Sequence, residues 1–87
     1  MIKENIKIRS FNFEWVDGVN GYSIGGYYQC RGDIHWNDEH DEIPDPLLWI
    51  AAMELEEKIT DEGFLAQAEY SEKGWVEVIV YHRLWLR

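Results

Sequence analysis

With 87 residues, 46% of them hydrophobic, and a formal net charge of −9, the chain can build one core but not two, since autonomous domains run to roughly 50–200 residues. The longest apolar run, Leu47 to Met53, falls far short of the ~20 residues of a membrane-spanning helix, and the start Met1-Ile2-Lys3-Glu4-Asn5 has no apolar stretch of the kind an export signal carries. The lone cysteine, Cys30, excludes an internal disulfide and fits a reducing compartment, so a cytoplasmic single domain over residues 1–87 is expected, with no membrane partner.

The charge is uneven along the chain. Residues 32–62 hold eleven acids against Lys58 alone, whereas the two flanking thirds together are close to neutral. A surface built from that middle third repels phosphate and attracts cations within a screening length of about 8 Å at physiological salt. Direct nucleic-acid binding is therefore not expected, because phosphate neutralisation supplies so much of that affinity.

Ile6 and Ile8 lie on one parity and Phe11, Phe13 and Trp15 on the other. A bulge or bend near Arg9 or Ser10 would bring both sets inward along one strand. Asp17-Gly18-Val19-Asn20-Gly21 supplies residues that tolerate positive φ and reads as a hairpin turn. From Tyr22 to Trp36 the period of two predicts a long half-buried strand, in which Gly25-Gly26 marks a bulge or a close backbone approach.

Asn37 to Ile43 reads as a polar, acid-rich loop. Asp45 follows as an N-cap, Pro46 as the first helical residue and Gly63 as the stop. Leu48, Ala52, Leu55 and Ile59, flanked by Leu47 and Ala51, form the helix's apolar stripe; Glu54, Glu57 and Asp61 fall opposite it, and Trp49 and Met53 border it. Phe64, Ala66, Ala68 and Tyr70 predict a further strand, Glu72-Lys73-Gly74 a turn, and Trp75 to Leu86 a last strand that is apolar on both parities. Such a strand belongs inside a sheet, or carries a face that something else must cover. The fold class that follows is α+β, a four-stranded antiparallel sheet of two hairpins with one helix on one face, in the order ββαββ.

Catalytic signatures are missing from the sequence: there is no nucleophile elbow, P-loop, dinucleotide fingerprint or paired-cysteine metal motif. His35 and His40 stand five apart across a strand end and loop among Asp33, Asp38, Glu39, Asp41 and Glu42, not at the i, i+4 spacing that sets two histidines on one helix face. A solvated loop is the expected reading there, with no metal and no cofactor. Cys30, on the inward parity, reads as buried rather than nucleophilic, and His82 as a core or edge histidine.

The acidic ridge is more suggestive. Glu54, Glu57 and Asp61 recur about once per helical turn, ~5 Å, a separation of the same order as the ~3.4 Å phosphate rise along a DNA strand. In size, charge and aromatic content the chain is similar to the small acidic proteins with which bacteria and their phages block nucleases and other defence proteins, including nucleic-acid mimics and toxin-immunity partners; that likeness carries over no functional residue. The expected function is that of a non-enzymatic binding or inhibitor protein docking on a basic site of another protein, such as a nucleic-acid-binding protein or nuclease. The expected contacts are Asp38, Glu39, Asp41, Glu42, Glu54, Glu57 and Asp61, with Trp36 and Trp49 as anchors. Two alternatives stand beside it: a homodimer closed through the bare sheet face and binding a small ligand or metal, and a small enzyme using carboxylates with His35 or His40.

Overall fold

A computed structural model of the chain shows an α+β fold, one helix against a curled five-stranded antiparallel sheet, with a small separate hairpin. The structure describes residues 4–17, 23–32, 34–36, 39, 42–71 and 75–83, with side chains described except at 23–25, 34–36, 42–44, 71, 82 and 83. In chain order the elements are β1 (Ile6–Ile8), β2 (Phe11–Asp17), β3 (Ser23–Arg31), β4 (Ile34–Trp36), β5 (Glu42–Pro44), α1 (Pro46–Asp61), β6 (Phe64–Ser71) and β7 (Trp75–Arg83). The large sheet runs β1-β2-β3-β7-β6, and β4 pairs with β5 alone.

The fifth strand comes from Arg9-Ser10. The parity switch expected as a bulge is a two-residue hairpin, which pairs Ile6 with Phe13 and Ile8 with Phe11. Opposed residues share a face of a sheet, so both parity sets point the same way, and Ile6, Ile8 and Phe11 pack against the core that contains Phe13. The turn requires positive φ, and Arg9 adopts φ 57°. That conformation costs an ordinary side chain about 1–2 kcal/mol and is usually signalled by Gly or Asn.

The long strand expected from Tyr22 to Trp36 is also divided. β3 ends at Arg31, and at Gly32 an added Cβ would meet Leu48 Cδ2 of α1, so the helix occupies the space a side chain would need. The chain then re-forms as β4, paired with β5 in the register Ile34↔Pro44, His35↔Ile43 and Trp36↔Glu42. The acid-rich segment expected as a plain loop from Asn37 to Ile43 thus has its end, Glu42 and Ile43, in a strand.

Gly25-Gly26 is both a bulge and a close approach. The β3–β7 register slips between Ser23 and Tyr27, and a Cβ on Gly26 would overlap the carbonyl oxygen of Val16 and lie 2.7 Å from Cζ2 of Trp15. The Trp15 ring meets Tyr28 edge-to-face at 5.1 Å between centroids, so the missing side chain leaves room for an aromatic pair.

The Asp45 Oδ1 accepts a hydrogen bond from the Leu47 N–H at 2.9 Å, Pro46 occupies the first turn of α1, and Gly63 with φ 97° turns the chain away after its end. Leu48, Ala51, Ala52, Leu55 and Ile59 are buried against Phe13, Tyr28, Ala66, Val76, Val78 and Val80 in one cluster. Leu47, expected at the stripe's flank, is instead 56% exposed. Of the two placements that the two-sided apolarity of the last strand left open, the inner one is found: β7 lies inside the sheet, between β3 and β6. The turn at 72–74 and the residues beyond Arg83 lie outside the described residues; β6 and β7 pair antiparallel from Ser71↔Trp75 onward.

The edge strand β6 is tied to the helix. The Ala68 N–H, turned away from β7, donates to Glu56 Oε1 at 3.0 Å, which satisfies a backbone donor that the sheet leaves unpaired. Two outcomes follow. Gly26→Ala forces the backbone of β2 away and lowers stability by about 2 kcal/mol or more, as read by chemical denaturation. Glu56→Ala costs about 1 kcal/mol and speeds amide exchange at Ala68 roughly fivefold, as read by hydrogen exchange.

Candidate protein-docking surface

A helix that buries one stripe must present the rest of its surface. On α1 that outward surface is mixed: Leu47, Ile50 and Met53 are 56%, 40% and 51% exposed, and Glu54, Glu57 and Asp61 are exposed beside them. Ile50, Met53, Glu54 and Glu57 line a shallow depression of about 260 Å³, with an apolar floor and two carboxylates on its rim. The acids run against the helix dipole. No acid occupies the first turn, and Lys58 is the base of the last, whereas Glu57, Asp61 and Glu62 gather near the C-terminal end, where backbone carbonyls already carry negative charge.

One of the ridge carboxylates has an intramolecular partner. Arg9 donates from Nε to Glu54 Oε1 at 3.0 Å and from Nη2 to Oε2 at 2.9 Å, a bidentate fork. The pair is solvent-exposed, with relative side-chain accessibilities of 48% and 46%, so it fixes direction more than it stabilises. The Arg9 hydrogen bond holds the Glu54 carboxyl below its ordinary range, and the same contact raises the Arg9 guanidinium. Glu57 and Asp61 have no ion-pair partner among the described residues.

The other expected contacts divide into two groups. Trp49 is half-buried and packs against the core cluster, with part of its surface left accessible. Trp36 and Glu42 are brought opposite one another by the β4–β5 pairing, and Glu39 lies exposed in the turn between them. Asp38, His40 and Asp41 lie outside the described residues, as do the side chains of His35, Trp36 and Glu42. β5 leads into the N-terminus of α1, so Glu42 stands at the opposite end of the helix from Asp61. Among the described residues no group of three His, Cys, Asp or Glu side chains could hold a metal ion, and no helix is long and apolar enough to cross a membrane.

The sheet face turned away from α1 carries Tyr27, Trp75, Ile79 and Tyr81, all half-buried. Arg31 stacks over Trp75 at 4.7 Å from the ring centroid, and Trp75 Nε1 donates to Glu77 Oε2 at 3.1 Å. Glu69 and Glu77 are directly opposed, an unfavourable like-charge pair. Where the β2–β3 ladder stops at Glu14↔Gln29, the strands leave a concavity of about 480 Å³ lined by Asn12, Glu14, Gln29, Cys30 and Arg31, among others. Cys30 is buried, and desolvation together with the Glu14 charge pushes its thiol upward, which keeps it protonated and poorly nucleophilic at neutral pH.

No family model, no curated protein and no solved structure matches the chain.

Sequence reasoning placed the acids on the outward side of α1 and Met53 at the border of the stripe, but did not place Leu47 and Ile50 among them. Leu47 and Ile50 share that side with Glu54, which helical spacing alone reveals once the buried stripe is fixed. The Arg9 contact had no such signal, since it joins residues 45 apart.

The pH dependence of the pair has a definite sign. Glu54 has a folded-state pKa below its unfolded value, so its contribution to stability is complete above the ordinary carboxylate range and is lost as pH falls through the folded value. In Arg9→Gln the Glu54 carboxyl returns upward toward 4.5, as carbon-detected NMR titration of its side chain would show, and stability becomes less sensitive to acid.

Proposed function

We propose that this chain is a non-enzymatic binding protein that docks the acidic outward face of α1 on a basic site of another protein and thereby inhibits it. The observation that carries the reading is the coincidence on one helix face of exposed apolar residues, Leu47, Ile50 and Met53, with the carboxylates Glu54, Glu57 and Asp61. Exposed Glu alone would serve solubility. Apolar side chains held in water beside it lower solubility, and their burial with a partner is favourable at about 25 cal/mol per Å².

The partner class follows from the charge. A net −9 favours encounter with a cationic surface and disfavours phosphate or anionic lipid. Proteins that hold nucleic acid neutralise its phosphates with lysine and arginine, so a nucleic-acid-binding protein or nuclease of bacterial or phage origin suits the ridge. Asp38, Glu39, Asp41 and Glu42, which precede α1 in the sequence, extend the interface in this reading, with Trp36 and Trp49 as anchors.

Affinity capture from a bacterial lysate at low and at high salt, comparing the native chain with Glu57→Lys/Asp61→Lys, tests the reading. The native chain retains a basic protein at low salt and releases it at high salt, and the double reversal does not retain it. Equal retention by both chains would remove the helix face from the interface.

A second reading rests on the half-exposed aromatic residues of the other sheet face, which α1 does not cover. It is a homodimer closed through Tyr27, Trp75, Ile79 and Tyr81, around a small ligand or metal. In that case light scattering gives twice the 10.4 kDa chain mass, and Ile79→Asp returns it to the monomer.

A further inference from the structure

We propose that the outward side of α1 is the seam for one partner helix, whose apolar residues and whose lysines or arginines lie in separate halves. This rests on the docking reading above and narrows it to a single kind of occupant.

Leu47, Ile50, Glu54, Glu57 and Asp61 follow one another at spacings of three, four, three and four, the rhythm at which one helix meets another along a packed seam. All of them are exposed. At 3.6 residues per turn they fall within about 80° of one another, on the side away from the buried Leu48, Ala52, Leu55 and Ile59. The stripe stays straight for four turns, ~21 Å at 1.5 Å per residue. An extended segment presents its side chains at a period of two and would meet this stripe at scattered points, whereas a second helix repeats its rhythm.

The order of residues along the seam sets the chemistry of the occupant. Two apolar rungs come first and three acidic rungs follow, their centres roughly 13 Å apart by the helical rise; the first acidic rung, Glu54, is already held by Arg9, so Glu57 and Asp61 are the open ones among the described residues. The depression beside Ile50 and Met53 takes an apolar side chain, and Glu57 and Asp61 take basic ones. Glu54 shows how a guanidinium seats here, since Arg9 already grips it through both oxygens. A second copy of α1 does not fit. Side by side in the same direction it sets acid against acid, and in the opposite direction it sets Leu47 against Asp61 and Ile50 against Glu57.

The test uses the whole chain and a synthetic helical peptide with Leu, Leu, Arg, Arg and Arg at the same three-four spacing on an Ala/Gln background. A control peptide carries the same residues interleaved as Arg, Leu, Arg, Leu and Arg. Fluorescence anisotropy is expected to show the blocked peptide binding about tenfold tighter than the interleaved one. Leu47→Ser/Ile50→Ser is expected to weaken it by a similar factor with the salt dependence unchanged. Glu57→Gln/Asp61→Asn is expected to flatten the salt dependence. All four substitutions sit at exposed positions, and unchanged melting curves confirm that the variants fold. Equal binding of the two peptides, binding of neither, or indifference to the serine pair overturns the seam. If that happens while the lysine reversals still abolish capture of a basic protein, acidic docking stands and only the helical occupant falls; loss of both effects removes both.

Discussion

Everything in the described structure depends on a single helix being, among the described residues, what covers a five-stranded sheet. Leu48, Ala51, Ala52, Leu55 and Ile59 are the side chains that close the core over Phe13, Tyr28 and the valines of β7. Each large one contributes about 1.5–3 kcal/mol on burial, and net stabilities of small domains are of the order of 5–15 kcal/mol. The helix therefore has no freedom to rotate, and its outward side is fixed by what its inward side must bury. Gly32 tightens this further, because Leu48 sits where a β-carbon would otherwise stand.

That constraint explains which parts of the fold were legible in the sequence. The helix, its aspartate cap and proline start, and the inward parity of β6 are written in local periodicity, and each local preference agrees with the tertiary arrangement. The Gly25-Gly26 irregularity was legible for the same reason, since only a missing side chain lets Trp15 and the Val16 carbonyl approach so closely. The turn at Arg9-Ser10 was not. Neither residue advertises a left-handed conformation, and a parity switch has the same appearance whether a strand bulges or doubles back. Tertiary packing decided it, by placing Ile6 and Ile8 over Phe13 and Phe11.

The outward face of α1 was legible in part for a related reason. Charge is a property of composition, so the acidic middle third was visible at once, and helical spacing put Glu54, Glu57 and Asp61 on one side. The exposure of Leu47 and Ile50 was hidden because an apolar residue next to a buried stripe resembles its margin. The break at Gly32, after which Ile34–Trp36 pairs with Glu42–Pro44 as a small hairpin, was masked by a continuous alternation running through Ile34 and Trp36. In both places the local pattern fits two arrangements equally well, and contact with the helix chooses between them.

The rims of the sheet carry one more consequence. An unpaired strand is a template on which a neighbouring molecule can add its own, the usual origin of fibrous assembly in strand-rich chains. One rim here, β1, is only three residues long, and the other, β6, has the Ala68 amide capped by the Glu56 carboxylate. A strand arriving at β6 must displace that carboxylate before it can bond. The chain can thus expose aromatic and aliphatic side chains on both its broad faces with one rim short and a backbone donor in the middle of the other already taken.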